Sequence, residues 1–127
     1  VRRVILAFNP PGARLVCDIA ETPAQISLGL GGRLGLGPAE GMLFIMPEVK
    51  TQRFWMKGVS FPLDLLFFSQ EAMLLDALEW VPVGPPFVLW SIDEPGRWVV
   101  EAPAGWVKRV GVKVGCRLAT AGWVKEQ

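Results

Sequence analysis

Four charged side chains could do chemistry in this sequence: Arg33, Lys57, Asp64 and Glu101. Lys57 follows the apolar Phe54-Trp55-Met56 and precedes a loop through Ser60 and Pro62; Asp64 enters the most apolar run of the chain, Leu63 to Phe68. A carboxylate entering such a strand is costly unless it is paired or hydrogen-bonded. One expectation is therefore structural: Asp64 accepts backbone N–H groups, or pairs with Lys57 or Arg33, and pins the crossover loop. The other is functional. Arg33, Lys57, Asp64 and Glu101 would form a polar cleft for a small anionic or zwitterionic ligand, with Arg33 gripping a carboxylate bidentately. A lysine beside a carboxylate can support acid–base or Schiff-base chemistry, which makes Lys57, Asp64 and Glu101 the candidate catalytic residues. A Ser60–Lys57 dyad is the weaker idea, because the order is not Ser-x-x-Lys.

The chain of 127 residues has no histidine, no tyrosine and two cysteines. The missing histidines remove Ser-His-Asp and Cys-His arrangements and histidine-ligated zinc. Cys17 and Cys116 alone cannot complete a structural zinc site. They either pair, if the two ends of the chain lie side by side, or remain buried free thiols, the favoured reading. The 12 acidic residues are scattered, so no metal is expected, and nothing calls for a cofactor. Residues 29–41 are glycine-rich but contain neither G-x-G-x-x-G nor a Walker pattern.

The elements that must position these residues are mostly strands. Val4 to Phe8 is apolar throughout and is broken by Asn9-Pro10-Pro11-Gly12; Leu15, Cys17 and Ile19 then alternate with polar neighbours. Thr22-Pro23-Ala24-Gln25 predicts a helix start with a capping box, and Gly31-Gly32 its end. Further strands are expected at 41–46, 53–56, 63–68, 73–81, 87–91 and 97–101. Leu65 to Phe68, apolar on both faces, should lie inside the sheet. A short helix is expected over 103–110, ended by Gly111, then a last strand in which Val112, Val114, Cys116 and Leu118 alternate with Lys113 and Arg117. These elements predict a mainly β, β-rich α+β fold: a closed or nearly closed small barrel of about eight short strands with two short helices. The length predicts a single domain over 1–127.

Charge and hydropathy narrow the partners. Thirteen basic against 12 acidic residues leave a net charge of +1, which argues against a nucleic-acid grip. Hydrophobic residues make up 51% and mean hydropathy is +0.36, so apolar surface is expected to be left over for a protein partner or a homodimer. No run predicts a transmembrane helix: residues 80–92 are the longest uncharged apolar-rich stretch and contain Pro82, Pro85 and Pro86. The chain opens on Val1, consistent with a signal or anchor segment upstream, so localisation stays open between cytoplasmic and exported. Plentiful Gly, Pro, Arg and Trp with one asparagine lean towards a thermophile or a GC-rich genome. Of six tryptophans, Trp55, Trp80, Trp90, Trp98 and Trp106 are expected in the core and Trp123 at the surface.

Several motifs occur together in order: Gly29-Leu30, Arg33, Gly41-Met42-Leu43-Phe44, Phe54-Trp55-Met56-Lys57, Pro62-Leu63-Asp64, Val100-Glu101, Ala104-Gly105 and Gly111-Val112-Lys113-Val114-Gly115. In these the chain resembles the bacterial and archaeal family called domain of unknown function 192, over roughly residues 14–118. The resemblance implies a compact β-rich fold, frequent occurrence behind an export signal or membrane anchor, and no agreed activity. The chain departs from the family pattern at Gly31, where methionine is usual, at Gly58-Val59, where Asn-Thr is usual, and at Cys116, where Asp follows the glycine. The polar residues replaced there could belong to a site.

The reading that emerges is a small non-enzymatic module binding a ligand or a protein. The alternative is an enzyme of unknown type working through a cleft of Lys57, Asp64 and Glu101.

Overall fold

The computed structural model describes residues 1–125. Seven strands, β1 (Arg3–Asn9), β2 (Ala13–Ala20), β3 (Glu40–Lys50), β4 (Leu63–Phe68), β5 (Leu74–Val81), β6 (Gly96–Pro103) and β7 (Arg117–Val124), form one sheet in the order β5-β4-β6-β3-β2-β1-β7. All pairings are antiparallel except β2 with β3, which are joined through the short helix α1 (Pro23–Leu28). A second short helix, α2 (Trp106–Val110), follows β6.

The mainly β fold with two short helices is as expected, with seven strands where about eight are expected; the closed or nearly closed barrel is borne out only in part. The sheet is not closed into a barrel. Among the described residues its edge strands meet at one corner, where Met73 bridges Arg117, Leu74 N–H donates to the Cys116 carbonyl and Leu118 N–H to the Ala72 carbonyl. The expected strands at 53–56 and 87–91 reduce to a single bridge, in which Phe54 and Trp90 exchange two backbone hydrogen bonds of 2.9 and 2.6 Å. The prolines before Phe87 remove the donors that a longer ladder needs. The last strand begins at Arg117, not near Val112. Gly111 and Gly115 adopt left-handed backbone (φ +78° and +91°), and Cys116 N–H turns back to the Lys113 carbonyl, so the alternation at 112–116 belongs to a turn.

Each face of the sheet carries its own core. On one, Val4, Leu6, Phe8, Leu15, Cys17, Leu66, Phe68 and Val100 pack with Trp106 and Val107 of α2. On the other, Phe44, Leu63, Leu65, Phe67 and Val99 pack with Leu30, Phe54, Met56 and Val59 from the connecting segments. Every residue of β4 is buried, as its two-sided apolarity requires. α1 forms as expected: Gln25 N–H donates to Thr22 Oγ1 and Thr22 N–H to Gln25 Oε1, both at 3.1 Å. It stops at Gly29 (φ +51°), two residues earlier than expected, and drops the fully buried Leu30 into the second core.

The cysteines are free and buried. Burial pushes the Cys17 thiol up to about 12, so it stays protonated. Titration with a thiol reagent in denaturant without reductant should count two thiols per chain, with both protected in the native state; fewer than two in denaturant would show a bridge.

The tryptophans divide differently from expectation. Trp106 is buried and Trp123 exposed, but Trp55 and Trp80 are 49% and 62% exposed. Alternation within a β-prone run marks which ring can be buried, not which is covered.

Candidate functional site

β4 and β6 are neighbours, and their register separates the candidate residues. Asp64 lies opposite Ala102, and Leu65 opposite Glu101. Side chains alternate between faces, so Asp64 points to the face holding α2 and Glu101 to the opposite face.

Asp64 is fully buried, and both of its oxygens accept backbone hydrogen bonds. Its Oδ1 accepts from Trp80 N–H at 3.0 Å and Gly105 N–H at 3.1 Å, and its Oδ2 from Val107 N–H at 2.9 Å. The N-cap of α2 is Gly105, which has no side chain to cap with. β4 supplies the missing cap from across the fold. Gly105 (φ +86°) is needed there twice over, because a side chain would also meet the Trp80 ring at 3.3 Å. Arg33 lies elsewhere and binds Asp18 Oδ2 at 2.6 Å, while Arg3 takes Oδ1 at 3.0 Å. Ser60 Oγ donates to the Arg33 carbonyl, away from any dyad with Lys57. Among the described residues no three His, Cys, Asp or Glu side chains gather into a metal-holding group.

Lys57 and Glu101 both line one pocket of about 310 Å³ on the second face. Gly29 and Leu30 after α1, Phe44 and Met46 of β3, the segment carrying Arg53, Phe54, Trp55, Lys57 and Val59, and Glu101 of β6 line it. Phe44 and Phe54 stack edge to face at 4.9 Å, and Lys57 Nζ lies 5.4 Å from the centre of the half-exposed Trp55 ring. Glu101 is 3% exposed. Its Oε1 has no hydrogen-bond partner, and burial pushes the carboxyl up to about 8, so it is mostly protonated at pH 7. Gly29 keeps the space open: a Cβ there would stand 3.3 Å from Phe44 Cζ and 3.8 Å from Glu101 Oε1. Sequence reasoning reached Lys57 and Glu101 but missed Arg53, Trp55 and Gly29. The first two sit in a run that reads as strand, and Gly29 reads as one loop glycine among many.

The pattern of the domain of unknown function 192 family, described as "Uncharacterized ACR", matches residues 6–120. The chain belongs to this family. Val59 lines the pocket, which makes that wall apolar. The crystal structure of a "putative transcription regulator" from Sinorhizobium meliloti 1021 has a TM-score of 0.84 and 34% identity, with 95% of this chain and 94% of that one covered. A protein of unknown function from Novosphingobium aromaticivorans DSM 12444 has the same TM-score at 26% identity, covering 92% and 84%. No curated protein matches the chain.

Proposed function

We propose that this family member is a non-enzymatic module that holds a small organic molecule in the Glu101 pocket. One observation carries the reading: a buried carboxyl with an unpartnered oxygen lines an aromatic pocket that opens to solvent. Leaving a buried polar atom unpaired costs about 1–3 kcal/mol, and a ligand that supplies the partner recovers that cost. An enzymatic cleft of Lys57, Asp64 and Glu101 has no comparable support, since Asp64 faces the other side of the sheet and its oxygens already hold three amides. The net charge of +1 favours a small molecule over a nucleic acid as partner. A protein partner or second copy has its own support in the exposed Val83, Phe87, Val88 and Leu89, the last of which borders the pocket.

A fragment screen by protein-observed NMR tests the pocket. Hits should shift the amides of Gly29, Phe44, Lys57 and Glu101 together, and Val59→Phe, which fills the pocket, should weaken them about tenfold or more. Hits scattered over the surface, or indifferent to Val59→Phe, would sink the reading.

A further inference from the structure

The pocket's charges and their depths define a ligand class. Its lining holds three charged residue types: Arg53, Lys57 and Glu101. Arg53 and Lys57 are exposed, and among the described residues neither forms a salt bridge. Glu101 lies at the buried end, with Met42 of β3 and Leu65 of β4 opposite it and Phe44 and Gly29 nearby, all without charge. In no salt bridge among the described residues, and mostly protonated at pH 7, it offsets neither cation. The mouth is therefore positive, the walls aromatic, and the floor a neutral carboxyl with a free oxygen. A cationic ligand would meet two like charges and no counterion. An anion is drawn to the mouth, and an apolar body fits the walls. Only a hydrogen-bonding group at the far end satisfies Glu101.

We propose that the pocket selects a small bifunctional anion, with a carboxylate or similar group at the Arg53–Lys57 mouth, a flat apolar body between Phe44, Phe54 and Trp55, and a hydroxyl or carbonyl group on Glu101. This rests on the pocket being a binding site, and three probes with one body separate the two ideas: 3-(4-hydroxyphenyl)propanoate, 3-phenylpropanoate and tyramine. Calorimetric and NMR titration at pH 6.5 should rank the first about tenfold or more above tyramine and about fivefold or more above 3-phenylpropanoate. Glu101→Leu should abolish the second preference and leave 3-phenylpropanoate binding. Lys57→Glu should weaken both carboxylates. Tyramine binding as tightly as the first probe would overturn the charge assignment while the pocket stands. Equal binding of the two carboxylates would overturn the role of Glu101. If none of the three binds, the proposed class falls, and the fragment screen decides whether the pocket falls with it.

Discussion

Asp64→Asn is expected to lower the unfolding free energy by about 2–4 kcal/mol. Asparagine keeps one acceptor oxygen and replaces the other with an NH2 donor. With the amide oxygen in the Oδ1 place, Val107 N–H faces a donor; with the amide turned over, Trp80 and Gly105 N–H groups do. Either way at least one backbone amide loses its partner: in the first orientation the buried Val107 N–H and with it the cap on the first turn of α2, in the second the part-buried Trp80 and Gly105 N–H groups. Urea denaturation gives the magnitude. Hydrogen exchange should show the α2 amides opening well before the sheet. Fragment hits in the Glu101 pocket should keep their affinity within about twofold in the folded variant, since that pocket lies on the opposite face. A stability loss below about 0.5 kcal/mol would remove Asp64 from its structural role.

The second large effect depends on pH. The Glu101 carboxyl has an ordinary value of 4.5 and is pushed up to about 8 by burial. Between those values the unfolded chain has released this proton and the folded one keeps it. Stability contributed by this group is therefore complete below about pH 4.5 and falls as pH rises towards 8, by about 1.4 kcal/mol per pH unit and on the order of 5 kcal/mol in all. Glu101→Gln removes the titration and keeps a polar side chain of the same size. The difference in stability between variant and parent, measured by urea denaturation at pH 5, 6.5 and 8, should grow steadily in favour of the variant and level off above about 8. Parallel profiles would mean that Glu101 is solvated or paired in solution. The slope is the informative quantity, because the buried glutamine amide carries a fixed cost of its own.

Much of the fold was legible because local chemistry specified it. The capping box at Thr22 and Gln25 declares a helix start, and the two-sided apolar run of β4 declares an interior strand. Sequence reasoning also anticipated that a carboxylate in that strand would need either backbone donors or a pairing with Lys57 or Arg33. It could not supply the donors' identity, since Trp80, Gly105 and Val107 reach Asp64 only after β5 and α2 are placed. The face that each acid occupies was equally illegible. Asp64 and Glu101 both interrupt apolar runs, and only the β4–β6 register puts them on opposite sides of the sheet. The turn at 112–116 imitated a strand because its valines alternate, while the backbone freedom that reverses it resides in Gly111 and Gly115.

The strand order has a consequence for how the chain assembles. Hairpins β1–β2 and β4–β5 can form from neighbouring sequence, but β6 must insert between β4 and β3, and β7 must return to β1 from the far end of the chain. These pairings must overcome loop-closure entropy before burial rewards them, which places folding in the millisecond-to-second range typical of high contact order. Until β6 arrives, the β4–β5 hairpin presents an unpaired apolar edge, with Asp64 still lacking the amides of Gly105 and Val107. The carboxylate that fastens α2 in the finished protein would then act as a gatekeeper on the strand most prone to pair with the wrong chain.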